Sequence, residues 1–174
     1  RAREKFIKRN EVKALTIEHR QKFAKRRLMR DYLEMMKNPL PTVQARPLDD
    51  NIFEWHCNLV CSVDGPYKNF VFHFIIEFSD IYPVKAPAVK LCNYLGHRHV
   101  FNFDGHICLD MLETHDNPTL IGTGWSSGYT LHSILIQLQS FLLDPEELLP
   151  ESFHAKKSME SIKQFRCDKC GHCI

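Results

Sequence analysis

The hydrophobic pattern of this chain changes period at residues 38–41, and this change constrains the order of its elements more than any other feature. Residues 1–37 contain neither proline nor glycine. Their clearest apolar stripe recurs at helical spacing: Leu28, Tyr32, Met35 and Met36. The run Asn38-Pro39-Leu40-Pro41 then ends the helix, because proline has no N–H donor and cannot continue it.

Beyond this point the pattern favours strands. Three runs rich in aromatic and β-branched residues are separated by turn residues: residues 52–61, 70–78 and 89–92. A helix followed by an antiparallel meander predicts an α+β fold. Residues 97–128 are typical of loops, and an apolar stripe then predicts a helix at 131–142. A last amphipathic helix is predicted at 151–165, with Phe153, Ala155, Met159 and Ile162 facing inward.

Charge is unevenly distributed along the 174 residues. Residues 1–38 hold thirteen Lys and Arg against five Asp and Glu, and the remainder holds ten against sixteen. This asymmetry indicates an acidic partner for the basic arm or pairing within the molecule, and the alternative is a solvated helical face. Nucleic acid is a weaker candidate partner, since the arm has few aromatic residues for stacking beyond Phe6 and Phe23.

The chain has no apolar run long enough for a membrane span, and its charged N-terminus has no apolar signal core. The seven cysteines are an odd number without a secretion signal. We therefore expect free thiols and an intracellular protein, cytoplasmic or nuclear, with no membrane partner. Because the sequence does not begin with Met, we expect it to be a fragment.

Cys108 follows a glycine turn and is flanked by Ile107 and Leu109. A thiolate is both a strong nucleophile and a good leaving group, so a cysteine in this setting can carry an acyl group. The alternative is a buried cysteine that packs as a small hydrophobe. We adopt this alternative for the cysteines within strand patterns, which are Cys57, Cys61 and Cys92.

The order of motifs resembles the ubiquitin-conjugating enzymes. The matching segments are the basic helix at 26–39, the meander at 52–78, Tyr82-Pro83 with Pro87, residues 105–110, Trp125-Ser126, the helix at 131–142 and Asp144-Pro145. The resemblance covers residues 26–165 as a catalytic domain. It implies a UBC-like fold with an N-terminal helix, an antiparallel meander of about four strands, an active-site loop and C-terminal helices. Residues 1–25 would be a basic helical extension.

The resemblance also implies an activity. Cys108 would accept ubiquitin or a ubiquitin-like modifier as a thioester from an activating enzyme and pass it to a lysine amine or a ligase. No cofactor is implied for this chemistry. The alternative is a catalytically weak or inactive module of the same fold that binds a modifier or partner as a scaffold.

Three residues near Cys108 are further catalytic candidates. The family motif His-Pro-Asn is replaced by His97-Arg98-His99, and the simplest alignment puts His99 at the Asn position. An imidazole there could donate a hydrogen bond to developing negative charge or help deprotonate an amine, or it could simply bond backbone. Asn102 is a second candidate for the same role.

Asp110 matches an acidic position at the mouth of the family's site, where it could orient an attacking lysine or cap local backbone. A further acid often follows Asp-Pro in the family, and Glu146 and Glu147 lie near that place. Residues 113–124 form an insertion relative to the family. It could gate substrate access, or it could be a passive surface loop.

Partner-binding residues are also implied by the resemblance. Arg26, Arg27 and Arg30 match a region that contacts the activating enzyme, with a plain basic helix face as the alternative. The ligase-binding loops correspond to Val84 and to the segment of Trp125, Ser126 and Ser127. Val84 stands where RING-type ligases usually bind an aromatic residue, so recognition by an ordinary RING ligase is doubtful.

The tail contains Cys167 and Cys170 in a Cys-x-x-Cys-Gly pattern typical of zinc knuckles, with Cys173 and His172 nearby. One knuckle supplies half of a tetrahedral site. We interpret residues 166–174 as the start of a truncated zinc-binding segment. The remaining ligands are then expected on chain beyond residue 174, with structural zinc in the full-length protein.

Overall fold

The computed structural model describes residues 17–101, 103–113, 123–149 and 152–171. Its helices are α1 (Ile17–Lys37), α2 (Leu131–Leu142) and α3 (Ser152–Gln164), with a 3-10 helix at Asp110–Leu112. Its strands are β1 (Val43–Leu48), β2 (Asn51–Val60), β3 (Val71–Glu77) and β4 (Ala88–Leu91). The strands form one antiparallel sheet in the order β1-β2-β3-β4. The α+β prediction, with its meander, is confirmed.

The two faces of the sheet differ in chemistry because side chains alternate along each strand. One face is the apolar core, formed in β2 and β3 by Trp55, Cys57, Leu59, Phe72, Phe74 and Ile76, all at most 1% exposed. The predicted burial of Cys57 and Cys61 is confirmed, and burial raises the pKa of the Cys57 thiol. The prediction is wrong for Cys92, which follows the end of β4 and is only partly buried. The opposite face carries Glu54, His56 and Asn58 on β2, and His73 lies opposite Asn58 on β3.

Helix α1 is fixed to the loop before α2 by the side chain of Arg27. Its Nε donates to Asp31 Oδ1 at 2.9 Å, and its two Nη atoms donate to the carbonyls of Ser127 at 3.0 Å and Tyr129 at 2.7 Å. Asp31 is fully buried and also accepts the hydroxyl of Tyr82 at 2.8 Å. A buried carboxylate needs such partners, since an uncompensated charge is costly in the interior.

Helix α2 begins at a capping box, in which Thr130 Oγ1 accepts from the Ser133 N–H and Ser133 Oγ accepts from the Thr130 N–H. Five of the six residues of its predicted apolar stripe are buried, namely Leu131, Ile134, Leu135, Leu138 and Leu142. The sixth, Phe141, is partly buried.

The inward face of α3 differs in part from the prediction. Ile162 is buried and Ala155 is partly buried, as predicted. Phe153 is 64% exposed and Met159 is 41% exposed, whereas Ser158 is buried. The reason is that α3 packs polar groups against the segment after β4. Ser161 Oγ accepts the N–H of Tyr94 at 2.8 Å, and His154 Nδ1 lies 2.6 Å from the Tyr94 hydroxyl.

Of the helices within the described ranges, none has the length and apolar content required to span a bilayer. Several predictions concern residues outside these ranges. They include most of the basic extension at 1–25, Asn102, most of the insertion, His172 and Cys173.

Candidate active site

Cys108 lies at the exposed end of a short ladder within the loop that follows β4. Its N–H donates to the carbonyl of His99 at 2.9 Å, and Val100 forms an antiparallel bridge with Ile107. Ile107 is 1% exposed and Leu109 is 8% exposed, while Cys108 itself is exposed. Ile107 and Leu109 therefore anchor the loop in the core, and Cys108 between them stays at the surface. This geometry does not fit the alternative of a buried structural cysteine.

A close approach of two backbones holds this loop against β4. Gly105 accepts the N–H of Leu91 at 2.9 Å and donates its own N–H to the carbonyl of Phe101 at 2.7 Å. Its φ is +75°, and a Cβ atom at this position would lie 1.9 Å from the Leu91 carbonyl oxygen. Only glycine fits here, which explains the glycine three residues before Cys108.

His97 is a buried part of the framework. It is 2% exposed, and its Nε2 donates to the carbonyl of Phe141 at 3.0 Å while its Nδ1 accepts from the His99 N–H at 3.1 Å. Burial lowers the pKa of His97 because the charged form loses its hydration. The ring is thus a neutral connector between the loop and the end of α2.

His99 has a different environment. Its side chain is 47% exposed, and its Nε2 lies 3.3 Å from Glu147 Oε2. The ring is tilted against Phe141 at a centroid distance of 5.8 Å. Because the His99 carbonyl accepts the Cys108 N–H, the structure brings His99 next to Cys108 and places an acid behind its ring. This acid is Glu147, one of the two candidates that follow Asp144-Pro145.

Asp110 bonds backbone in this structure. It is the first residue of the 3-10 helix, and its Oδ2 accepts the N–H of Gly124 at 2.8 Å. The carbonyl of Glu113 accepts the N–H of Trp125 at 2.8 Å. Together these bonds close the base of the insertion beside Cys108. A role for Asp110 toward an attacking lysine stays a prediction.

The two loops expected to meet a ligase are neighbours. Trp125 Nε1 donates to the carbonyl of Pro83 at 2.8 Å, which links the loop of Val84 to that of Ser126 and Ser127. Val84 is 68% exposed and both serines are exposed. The hydrogen bond therefore places the two exposed loops side by side.

The three arginines of α1 do not share one role. Arg26 and Arg30 are exposed, in keeping with the expected contact with an activating enzyme. Arg27 does not fit that interpretation, because its side chain is only 10% exposed and binds Asp31, Ser127 and Tyr129. The spacing of basic residues along the helix could not distinguish these two environments.

The cysteine tail also differs from the prediction. Cys167 and Cys170 lie beside His56 and His73, and one ligand atom from each residue lies within 4.8 Å of the others. The sequence placed the complementary ligands on chain beyond residue 174, whereas the structure offers two histidines of the sheet as candidates. Sequence reasoning missed both histidines. The only available signal was a histidine in each of two adjacent strand patterns.

Comparison with known proteins gives a consistent set of similarities. Residues 27–169 match the sequence model of the family described as "Ubiquitin-conjugating enzyme". The protein named "Ubiquitin-conjugating enzyme E2 2" from Kluyveromyces lactis is 36% identical over 140 residues, which are 80% of this chain and 79% of that protein. The protein of the same name from Saccharomyces cerevisiae is 36% identical over 132 residues, 76% of this chain and 71% of that protein.

Solved structures agree with the sequence comparisons. The structure titled "Structure of human Ubiquitin-conjugating enzyme E2 G1" superposes with a TM-score of 0.59 at 28% identity, covering 68% of this chain and 93% of that one. Another, titled "Novel Ubiquitin-Conjugating Enzyme", gives a TM-score of 0.62 at 27% identity, covering 77% of this chain and 91% of that one.

Proposed function

Because this chain belongs to the family of ubiquitin-conjugating enzymes, which are transferases, we propose that Cys108 carries ubiquitin or a related modifier as a thioester. The exposure of Cys108 between buried Ile107 and Leu109 is the observation that carries the proposal. Family membership implies ubiquitin, an activating enzyme and ligases as partners in general.

Two acyl transfers would take place at Cys108. In the first, the Cys108 thiolate attacks the thioester carbonyl of the modifier on the activating enzyme. A new carbon–sulfur bond forms, and the thiolate of the activating enzyme leaves. In the second, a lysine amine attacks the new thioester, an amide forms, and the Cys108 thiolate leaves while the amine proton passes to a base. A ligase cysteine would replace the amine where the modifier is handed on as a thioester.

We assign His99 to the second transfer. The backbone carbonyl of His99 accepts the N–H of Cys108. The His99 ring is half exposed, and Glu147 faces its Nε2. In this place an imidazole can donate to the oxyanion of the tetrahedral intermediate or take a proton from the incoming amine. Glu147 would act as a positioning residue that orients the ring.

A loading assay tests the role of Cys108. The chain is mixed with activating enzyme, ATP and ubiquitin, and an adduct sensitive to reducing agent is expected. Cys108→Ser should convert this adduct to an ester that resists reducing agent, or abolish it. Cys92→Ser is the matched control. It should load normally, because Cys92 directly follows β4 and lies outside the loop segment that carries Cys108.

The absence of an adduct with ubiquitin and with each ubiquitin-like modifier, tested with its own activating enzyme, would contradict the proposal. That result would favour the alternative of a binding or scaffold module with the same fold.

A further inference from the structure

We propose that His56, His73, Cys167 and Cys170 form a structural zinc site that fixes the tail to the outer face of the sheet. His56 Nδ1 lies 3.1 Å from His73 Nε2 and 3.3 Å from Cys167 Sγ, and Cys170 Sγ lies 3.9 Å from His73 Nε2. Zinc bond lengths of roughly 2.3 Å to sulfur and 2.0–2.1 Å to nitrogen place tetrahedral ligand atoms about 3.3–3.8 Å apart. The three distances above lie close to this range, and all four atoms lie within 4.8 Å of one another.

The outer nitrogens of both rings are hydrogen-bonded to acceptors. His56 Nε2 lies 3.1 Å from Glu54 Oε1, and His73 Nδ1 lies 2.8 Å from Asn58 Oδ1. A carboxylate or amide oxygen accepts a proton here, so each ring carries its hydrogen on the outer nitrogen. Carboxylate and carbonyl partners of this kind orient the histidine ligands of metal sites and fix their tautomer.

This tautomer leaves a lone pair on each inner nitrogen. The inner atoms, His56 Nδ1 and His73 Nε2, then face each other at 3.1 Å with no hydrogen to share. Each inner nitrogen also faces a thiol, since Cys167 Sγ lies 3.3 Å from His56 Nδ1 and Cys170 Sγ lies 3.9 Å from His73 Nε2. The site is enclosed, with His73 0% and His56 4% exposed. Two nitrogen lone pairs and two sulfurs therefore converge on one point, and a bound cation would take all four as ligands.

The tail forms a knuckle that presents both thiols to the histidines. The N–H of Gly171 donates to the carbonyl of Cys167 at 2.9 Å, and Gly171 has a φ of +70°. Between the cysteines, Lys169 Nζ lies 2.7 Å from Glu54 Oε1, so the tail also binds the carboxylate behind His56. Phe165 packs on the His73 ring at a centroid distance of 5.2 Å. The two halves of the site are thus held together by contacts outside the four ligand atoms.

The ligand chemistry selects zinc and a structural role. Two thiolates and two imidazoles in tetrahedral array suit zinc, and four protein ligands leave no open position for catalysis. Cys167 is buried while Cys170 is partly exposed, which gives the ion a path of entry. The site joins β2, β3 and the segment after α3, and it shares no residue with the Cys108 loop. The zinc site can therefore be tested independently of the proposed activity.

Metal analysis of the purified full chain tests the site. We expect one zinc ion per chain by mass spectrometry, and tetrahedral dithiolate absorption when cobalt replaces zinc. Cys170→Ser and His73→Asn should lose the zinc, whereas Cys92→Ser should retain it, because Cys92 is a nearby thiol outside the four-atom cluster. Wild-type protein without zinc, or variants of Cys170 and His73 that retain it, would overturn the proposal. Iron with sulfide in place of zinc would also overturn it.

A second measurement does not depend on the folding of ligand variants. Removal of the ion from the wild-type protein by a chelator should lower its melting temperature, and added zinc should restore it. Glu54→Leu should keep the stoichiometry but weaken zinc affinity by about 10- to 100-fold. Glu77→Leu is the control, since Glu77 lies opposite Glu54 on β3 but is exposed. Equal affinities for the two variants, or a melting temperature indifferent to chelator, would count against the site.

Discussion

At the scale of single residues, two histidines separated by one position have different tasks. His97 is buried, bonded at both ring nitrogens and neutral, so it serves the framework of the loop. His99 is half exposed and faces Glu147. Residue type does not distinguish the two positions. The sequence could therefore nominate His99 only by alignment to the family motif His-Pro-Asn. The environment of each ring depends on Phe141 and Glu147, which are some 40 positions away in the chain.

Replacement of His99 by Ala tests its proposed role in discharge. We expect loading of Cys108 to remain normal and discharge to free lysine to slow by about 10²-fold, as for loss of one oxyanion-stabilising donor. Single-turnover discharge of the preformed thioester measures the effect. His106→Ala is the control, because His106 is exposed on the same loop and lies outside the His99–Glu147 pair.

Equal discharge rates for wild type and His99→Ala would remove His99 from the mechanism. Discharge by Glu147→Gln separates positioning from direct chemistry, since loss of the carboxylate that faces the ring should slow discharge less than loss of the ring itself.

At the scale of elements, sequence periodicity predicts a helix face correctly where the buried side chains are apolar. It fails where polar side chains take part in the packing. The stripe of α2 was predicted correctly because its buried positions are all aliphatic. The inward face of α3 was predicted correctly at Ile162 but wrongly at Phe153 and Met159, because His154 and Ser161 pack on Tyr94. Strand β1 was not located by pattern either, since Gln44, Arg46 and Pro47 interrupt its apolar residues. Its pairing with β2 provides a stability that local propensity does not.

The capping box of α2 gives a prediction at this scale. Thr130→Ala removes the side-chain acceptor of the Ser133 N–H, and we expect the free energy of unfolding to fall by about 1 kcal/mol. Chemical denaturation measures the change. Thr130→Ser keeps an acceptor and should fall within a few tenths of a kcal/mol of wild type. Equal losses for both variants would show that the cap is not the cause.

At the scale of the whole molecule, two long-range connections set the architecture. Arg27 joins α1 to the loop before α2, and Cys167 lies against His56, 111 positions earlier. Cys108 could be nominated as the nucleophile because its motif is contiguous in sequence. The His56 and His73 cluster could not, because its ligands meet only when β2, β3 and the tail are folded together.

The Arg27 network predicts unequal effects for two neighbouring arginines. Arg27→Ala leaves the buried Asp31 carboxylate without its cation, so we expect a loss of roughly 3–5 kcal/mol in the free energy of unfolding. Arg26→Ala is the matched control, because Arg26 is exposed on the same helix. Its free energy of unfolding should stay within about 0.5 kcal/mol of the wild-type value. In the loading assay, Arg26→Ala should instead slow transfer from the activating enzyme. Similar stabilities for the two variants would contradict the buried role of Arg27.

The carbonyls that receive Arg27 belong to Ser127 and Tyr129, 100 and 102 positions later in the chain. A ribosome adding roughly 5–20 residues per second needs about 5–20 s to cover that distance. During this interval the finished first helix has neither the partner loop nor the apolar face of α2 to pack against, and an isolated helix is marginal in water. The nascent chain therefore cannot complete its domain before the second half has left the exit tunnel. Until then the apolar face of α1 lacks these packing partners and offers a surface to which chaperones at the ribosome can bind.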